Sequence, residues 1–122
     1  MFDSEIIKLL FLLNAGHALG DFALQNEWVA THKDRHTRLN MPFEERAKAL
    51  MIWPHLLTAH AFIHGGIVYM ITGKLSLGIL ETVLHWITDF GKCEKWFNFH
   101  VDQFIHIGTK FFFAYLIAQN FV

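Results

Sequence analysis

Four pairs of histidine or aspartate recur at a spacing of four residues: His17 and Asp21, His60 and His64, His85 and Asp89, Asp102 and His106. On a helix, residues four apart stand on one face, one turn above the other. Imidazole nitrogen and carboxylate oxygen are ligands for divalent transition metals, and mixed N/O ligation suits zinc first, with manganese or iron as alternatives. The same spacing lets two helical histidines grip one zinc in metalloproteases. Facing pairs of this kind in a bundle core build one- or two-ion sites. The metal-ligand candidates are therefore His17, Asp21, His60, His64, His85, Asp89, Asp102 and His106. A held ion lowers the pKa of bound water to about 7 and makes hydroxide available to an ester or phosphoester. A carboxylate left off the metal would act as general base, which makes Asp21, Asp89 and Asp102 the catalytic candidates. Gln25, one turn beyond Asp21, and Gln103, beside Asp102, are expected to hydrogen-bond the ligands or touch substrate.

Four apolar stretches must position these pairs, and an all-α fold follows. The first helix is expected over about residues 4–27, with Ser4 and Asp3 as cap signals, and is long enough for a bilayer, which needs about 20 residues. The second runs over about 50–72. No Asp, Glu, Lys or Arg falls between Lys48 and Lys74, and Pro54 suits its first turn. The third covers about 75–90, closed by Gly91 and Lys92. The fourth covers about 96–120. Between the first two lies a polar, basic segment, THKDRHTRLNMPFEERAKA, in which Asn40 and Pro42 mark a turn and Phe43 to Lys48 suit a short surface helix. The expected architecture is a single-domain, up-and-down, four-helix transmembrane bundle over 1–122, with a basic loop between helices 1 and 2.

Lys33, Arg35, Arg38, Arg46 and Lys48 fall between the first and second helices, and Lys92 and Lys95 between the third and fourth. The opposite rim carries Asp3, Glu5, Lys8 and Lys74. The positive-inside bias then puts both basic loops in the cytoplasm and both termini outside. On that topology every pair lies within about 15 Å of the basic rim, at 1.5 Å per residue. Independent placement would scatter the pairs along the helices.

Composition agrees with a lipid environment. Of the 122 residues 53% are hydrophobic and only 17% charged, and 13 are Phe. A net charge of -1 without a basic groove gives nucleic acid no footing. Cys93 is the only cysteine, which excludes an internal disulfide and a multi-cysteine zinc site. Asp3 and Glu5 stand where a signal peptide would be positive, so the first helix reads as retained.

Other histidines carry less. His32 and His36 fall in the polar loop and read as solvent-exposed; His55 and His100 stand near helix starts and read as interface residues. Glu81 and Lys110 suit a cross-helix pair. Two non-enzymatic readings stand beside hydrolysis. Intramembrane acids and histidines also build metal-ion or proton conduits, or they hydrogen-bond one another and lock a structural membrane protein, as a monomer or a homo-oligomer.

The segments GHALGDFALQ, HAFIHG, HWITDF and DQFIH together resemble a family of small polytopic membrane proteins of bacteria and their phages, a domain of unknown function. The resemblance covers nearly the whole chain outside the basic loop. It implies a multi-pass protein of the bacterial inner membrane and singles out His17, Asp21, Gln25, His60 or His64, His85, Asp89, Asp102, Gln103 and His106. The pattern is also similar, more loosely, to membrane-bound metal-dependent hydrolases, which implies a lipid or phosphoester substrate.

Overall fold

The computed structural model describes residues 3–122, and among them every regular element is helical. Helix α1 (Ser4–Ala18) is capped by the Asp3 carboxylate, which accepts from the Glu5 amide. It runs directly into a π-helical turn, Leu19–Ala23, closed by the Leu24 amide on the Leu19 carbonyl at 2.9 Å. A short α2 (Glu27–His32) and a 3-10 turn (Arg35–Asn40) follow, capped by Asn26 and Asp34. Then come α3 (Phe43–Thr72), α4 (Leu75–Cys93) and α5 (Phe99–Ala118). The four long helices form a closed circuit in which α1 packs on α3, α3 on α4, α4 on α5 and α5 on α1.

Four boundaries differ from the expected ones, the third helix running on through Gly91 and Lys92 to Cys93. The first helix stops at Ala23 rather than 27, because the π turn adds a residue to the coil and Asn26 then caps a new helix. The second starts at Phe43, not near 50, so the expected surface helix is its first turns and Pro54 lies inside it. Proline there leaves the Leu50 carbonyl without its helical donor, and the helix continues regardless. The fourth begins at Phe99, after Asn98 accepts the Val101 amide at 2.9 Å, which leaves Trp96 in the preceding turn.

Close approach of the helices depends on glycine at two seams. A Cβ on Gly16 would lie 2.5 Å from Ile67 Cγ2, and one on Gly20 2.6 Å from the His64 ring. The two glycines are four apart, so α1 presents a small-residue stripe to α3. On the other side of α3, a Cβ on Gly65 would meet the Gly78 carbonyl of α4 at 2.5 Å.

Inside, each helix carries a ladder in steps of four: Leu13, His17 and Asp21 on α1 and its π turn; Val68, His64 and His60 on α3; Leu77, Glu81, His85 and Asp89 on α4; Lys110, His106 and Asp102 on α5. All of these are buried. Leu13, Val68, Leu77 and Phe113 form an apolar layer at one end of the ladder. Every rung beyond it is polar. The outside is the reverse: Phe104 is 79% exposed, Met70 77% and Phe11 72%, against 1% for Lys110 and 0% for Asp102. Among the described residues one stretch, Ser4–Ala23, is long and apolar enough to cross a membrane by length and composition, against the four spans expected.

Candidate metal centre

The ladders bring four imidazoles into one ring, one from each long helix. Ring centroids of His17 and His64 are 5.2 Å apart, His64 and His85 3.6 Å, His85 and His106 4.1 Å, and His106 and His17 4.9 Å. His60, one turn along α3, lies 4.7 Å from His64 and 5.1 Å from His85.

Asp21 sits at the centre. Its Oδ1 is 2.9 Å from His64 Nε2, 3.2 Å from His60 Nε2 and 3.6 Å from His85 Nε2. The His60 and His85 Nε2 atoms are 3.3 Å apart. In a tetrahedral zinc site with ligands at about 2.0–2.1 Å, neighbouring ligand atoms are separated by about 3.3–3.4 Å. These four atoms already lie near that spacing. The π turn and Gly20 explain how: they bring the Asp21 segment against the His64 ring without a side chain between.

Protons are arranged to leave lone pairs inside. His85 Nδ1 donates to Glu81 Oε1 at 3.3 Å, so its Nε2 faces His60 and Asp21 as an acceptor. Glu81 Oε1 also accepts from the Lys110 ammonium, so the expected cross-helix pair forms and takes on a second task, holding the His85 tautomer. His17 Nε2 donates to Gln103 Oε1 at 3.1 Å, and its buried Nδ1 has no hydrogen-bond partner. Neither has His64 Nε2, despite its 2.9 Å approach to Asp21, nor Asp102 Oδ1. Glu81 Oε2 is a fourth such atom, and buried polar atoms are partnered in the large majority of cases, so orphans gathered in one cluster need a cause. A cation among Asp21, His60, His64 and His85, whose ligand atoms lie within 4.8 Å of one another, would take the His64 atom, while His17 and Asp102 fall in other such groups.

Two further groups overlap the first: His17, His85 and His106, and Asp21, Asp102 and His106, each with ligand atoms within 4.8 Å of one another. His106 Nε2 lies 3.3 Å from both Asp89 Oδ1 and Asp102 Oδ1. Asp89 Oδ2 lies 3.3 Å from His60 Nε2. All eight residues named from their spacing thus stand in one connected, buried cluster. Of the two glutamines, Gln103 reaches it, donating to Asp21 Oδ2 at 2.8 Å and to Asp102 Oδ2 at 3.1 Å. Gln25 does not: the helix has ended, and its amide donates to the Asp21 main-chain carbonyl at 3.2 Å. His55 and His100 are exposed and outside the cluster. His32 stacks on Trp28 with centroids 4.7 Å apart.

Two site lysines were not expected. Lys33, at the C-cap of α2, is 3% exposed, and its ammonium reaches Asp89 Oδ2 at 2.5 Å. Lys92 lies 3.6 Å from Asp89 Oδ1 and 3.3 Å from Asp102 Oδ2. Lys92 falls three residues after Asp89, a spacing that shares a helix face and could have disclosed it. Lys33 is one of several basic residues in a polar loop, and nothing local distinguishes it. Above them, Arg35 donates to both oxygens of Glu94, at 2.5 and 2.9 Å, and His36 Nε2 stands 3.1 Å from Glu94 Oε2. His36 is therefore a clamp residue rather than a free loop histidine. The Arg35 guanidinium, with His36, holds the Glu94 carboxyl down to about 2.

Fold and site together define an all-α bundle whose core is a buried histidine–carboxylate cluster able to hold a divalent cation. Comparison with known proteins adds no name to that class: no family model, no curated protein and no solved structure matches the chain.

Proposed function

We propose that this protein is a multi-pass membrane protein that holds a divalent metal ion, zinc first and manganese or iron as alternatives, among His17, Asp21, His60, His64, His85, Asp89, Asp102 and His106. We further propose that it hydrolyses a lipid or lipid-linked phosphoester at its basic rim, on the cytoplasmic face of a bacterial inner membrane. This reading keeps the resemblance to the small polytopic membrane proteins of bacteria and phages. The observation that carries it is the buried group Asp21, His60, His64 and His85, whose ligand atoms lie within 4.8 Å of one another.

Charge supports a cation. The buried cluster contains the carboxylates of Asp21, Asp89, Asp102 and Glu81 and the ammoniums of Lys33, Lys92 and Lys110. With neutral imidazoles that leaves one excess negative charge, which either a proton on His106, between Asp89 and Asp102, or a bound cation compensates. When bound, the ion would supply a water of lowered pKa. The chain's own residues have separate tasks. Gln103 and Glu81 fix the orientations of Asp21 and His85. Whichever of Asp21, Asp89 and Asp102 is left off the ion can take a proton as general base.

The membrane reading is supported by the reversed surface, since polar rungs face inward and large apolar side chains face out. In α3 and α5 the inward histidines, Asp102 and Lys110 depress hydropathy, so a window average understates how apolar the outer surface is. A through-conduit fits less well, because the polar ladder ends on the buried layer of Leu13, Val68, Leu77 and Phe113. Packing alone does not account for the unpartnered atoms.

The test is metal content and turnover. Purified protein loaded with zinc or manganese should retain about one equivalent or more and cleave members of a phospholipid and phosphoester panel. Asp21→Asn should lose both while keeping native helix content. Less than a tenth of an equivalent after loading refutes the metal reading; full loading without turnover refutes hydrolysis.

A further inference from the structure

We propose that Lys33 and Lys92 form the anion-binding arm of this centre, handed from Asp89 and Asp102 to a substrate phosphate when a divalent cation takes those carboxylates. The inference rests on the metal-site and phosphoester readings above and adds to them the residues that take the phosphate group.

Asp89 is the pivot. It is fully buried, and its two oxygens are shared between two ammoniums and three imidazoles: Lys33 and His60 on Oδ2, Lys92, His85 and His106 on Oδ1. Asp102 repeats the arrangement, with Lys92 on Oδ2 and His106 on Oδ1. The imidazoles and carboxylates are a cation's ligands; the ammoniums are its competitors for the same carboxylates. A cation drawn into the imidazole ring pulls carboxylate charge from the lysines. With the imidazoles neutral as ligands, the loaded cluster carries one excess positive charge, which calls for an anion in the same enclosure. Lysine is a point-charge phosphate binder with three donors and no fixed plane, and it re-aims over a short distance more easily than arginine.

Placement agrees. Lys33 enters from α2, outside the four-helix circuit, and Lys92 stands in the last turn of α4, so both ammoniums lie on the side of the cluster nearest the polar segment. A phosphate arriving from that rim meets them before the imidazoles. Lys110, by contrast, lies beyond the ring and is held by Glu81, so it is not part of the arm.

Coupling is reciprocal, so an anion that binds the cation-loaded form better must tighten the cation. Zinc affinity is measured by chelator competition in detergent, in metal-buffered solution, with and without saturating inorganic phosphate. It is measured again in nanodiscs of phosphatidylcholine with and without phosphatidic acid. Native protein should bind zinc about tenfold more tightly with the phosphate group present, within the usual coupling range of about 5- to 150-fold. Lys33→Ala and Lys92→Ala should bind zinc at least as tightly as native protein in the absence of phosphate, since a competitor is gone, and should lose most of the coupling. Lys33→Arg, which keeps the charge and guards against a folding defect, should retain it. Coupling to phosphatidic acid alone identifies a lipid headgroup as the source; coupling to both identifies the phosphate group itself. Zinc binding with no coupling to either, or coupling that survives both alanine variants, overturns the proposal and leaves the metal centre standing. Absence of zinc binding overturns both.

Discussion

Glu81→Gln separates what holds the bundle together from what prepares the metal centre. Glu81 and Lys110 are each 1% exposed, and one carboxylate oxygen serves both Lys110 and His85. The substitution keeps side-chain size, removes the charge, and strands a buried ammonium. Breaking a buried pair from one side costs about 3–5 kcal/mol of stability. It also weakens the partner that fixes the His85 proton on Nδ1, and loss of such an outer hydrogen bond lowers metal affinity about 10- to 100-fold, or about 1.4–2.7 kcal/mol. The two effects part company in a double variant. Glu81→Gln/Lys110→Met has no stranded charge, and exchange of a buried pair for uncharged side chains is often near neutral. Thermal unfolding in detergent should therefore show a large loss for the single variant and recovery of most of it in the double. Zinc affinity by chelator competition should remain about 10- to 100-fold down in both. Native affinity in the double variant would refute the reasoning, because Glu81 would then act on the metal centre only through stability.

The glycine seam offers a paired control: Gly65→Ala, whose Cβ would press on the Gly78 carbonyl, should destabilise by about 1–3 kcal/mol, while Gly66→Ala, with nothing within 4 Å, should fall within about 0.5 kcal/mol of native in the same unfolding assay. The clamp over the site should respond to acid. Glu94 is held at about 2 against an ordinary 4.5, so its stabilising contribution is complete above 4.5 and drains as pH falls towards 2. Hydrogen exchange in residues 27–40 should accelerate across that window in native protein. In Glu94→Gln it should be fast already at neutral pH, and an unchanged profile would show that Glu94 does not secure the segment. The proposed four-span topology, with its basic loops cytoplasmic, predicts that, in a Cys93→Ser background, an impermeant maleimide on intact cells labels Lys74→Cys and spares Lys48→Cys until the membrane is opened. Equal labelling of both rejects that topology.

The reversal of polarity is what makes the cluster chemically interesting. Each inward polar rung needs a partner, and the helices meet these needs mutually except at His17 Nδ1, His64 Nε2, Glu81 Oε2 and Asp102 Oδ1. A bundle selected for packing alone would have little reason to gather five imidazoles and three aspartates and leave those atoms unmatched.

Sequence alone determined the ladders. Helical period is a local property, so His17 and Asp21, or Asp102 and His106, share a face wherever the helix ends up. It also exposed the Glu81–Lys110 pair, because two opposite charges in apolar helices have few other partners. What it could not fix was rotation of each helix about its axis and the path of the chain between helices, both of which depend on contacts far apart in sequence. The tertiary structure decided that the four ladders face one another, through glycine at 16, 20 and 65. It decided that a π turn ends the first helix and takes Gln25 out of the row. And it decided that Lys33, one basic residue among several, folds back onto Asp89. Periodicity says which side chains travel together; only packing says what they meet.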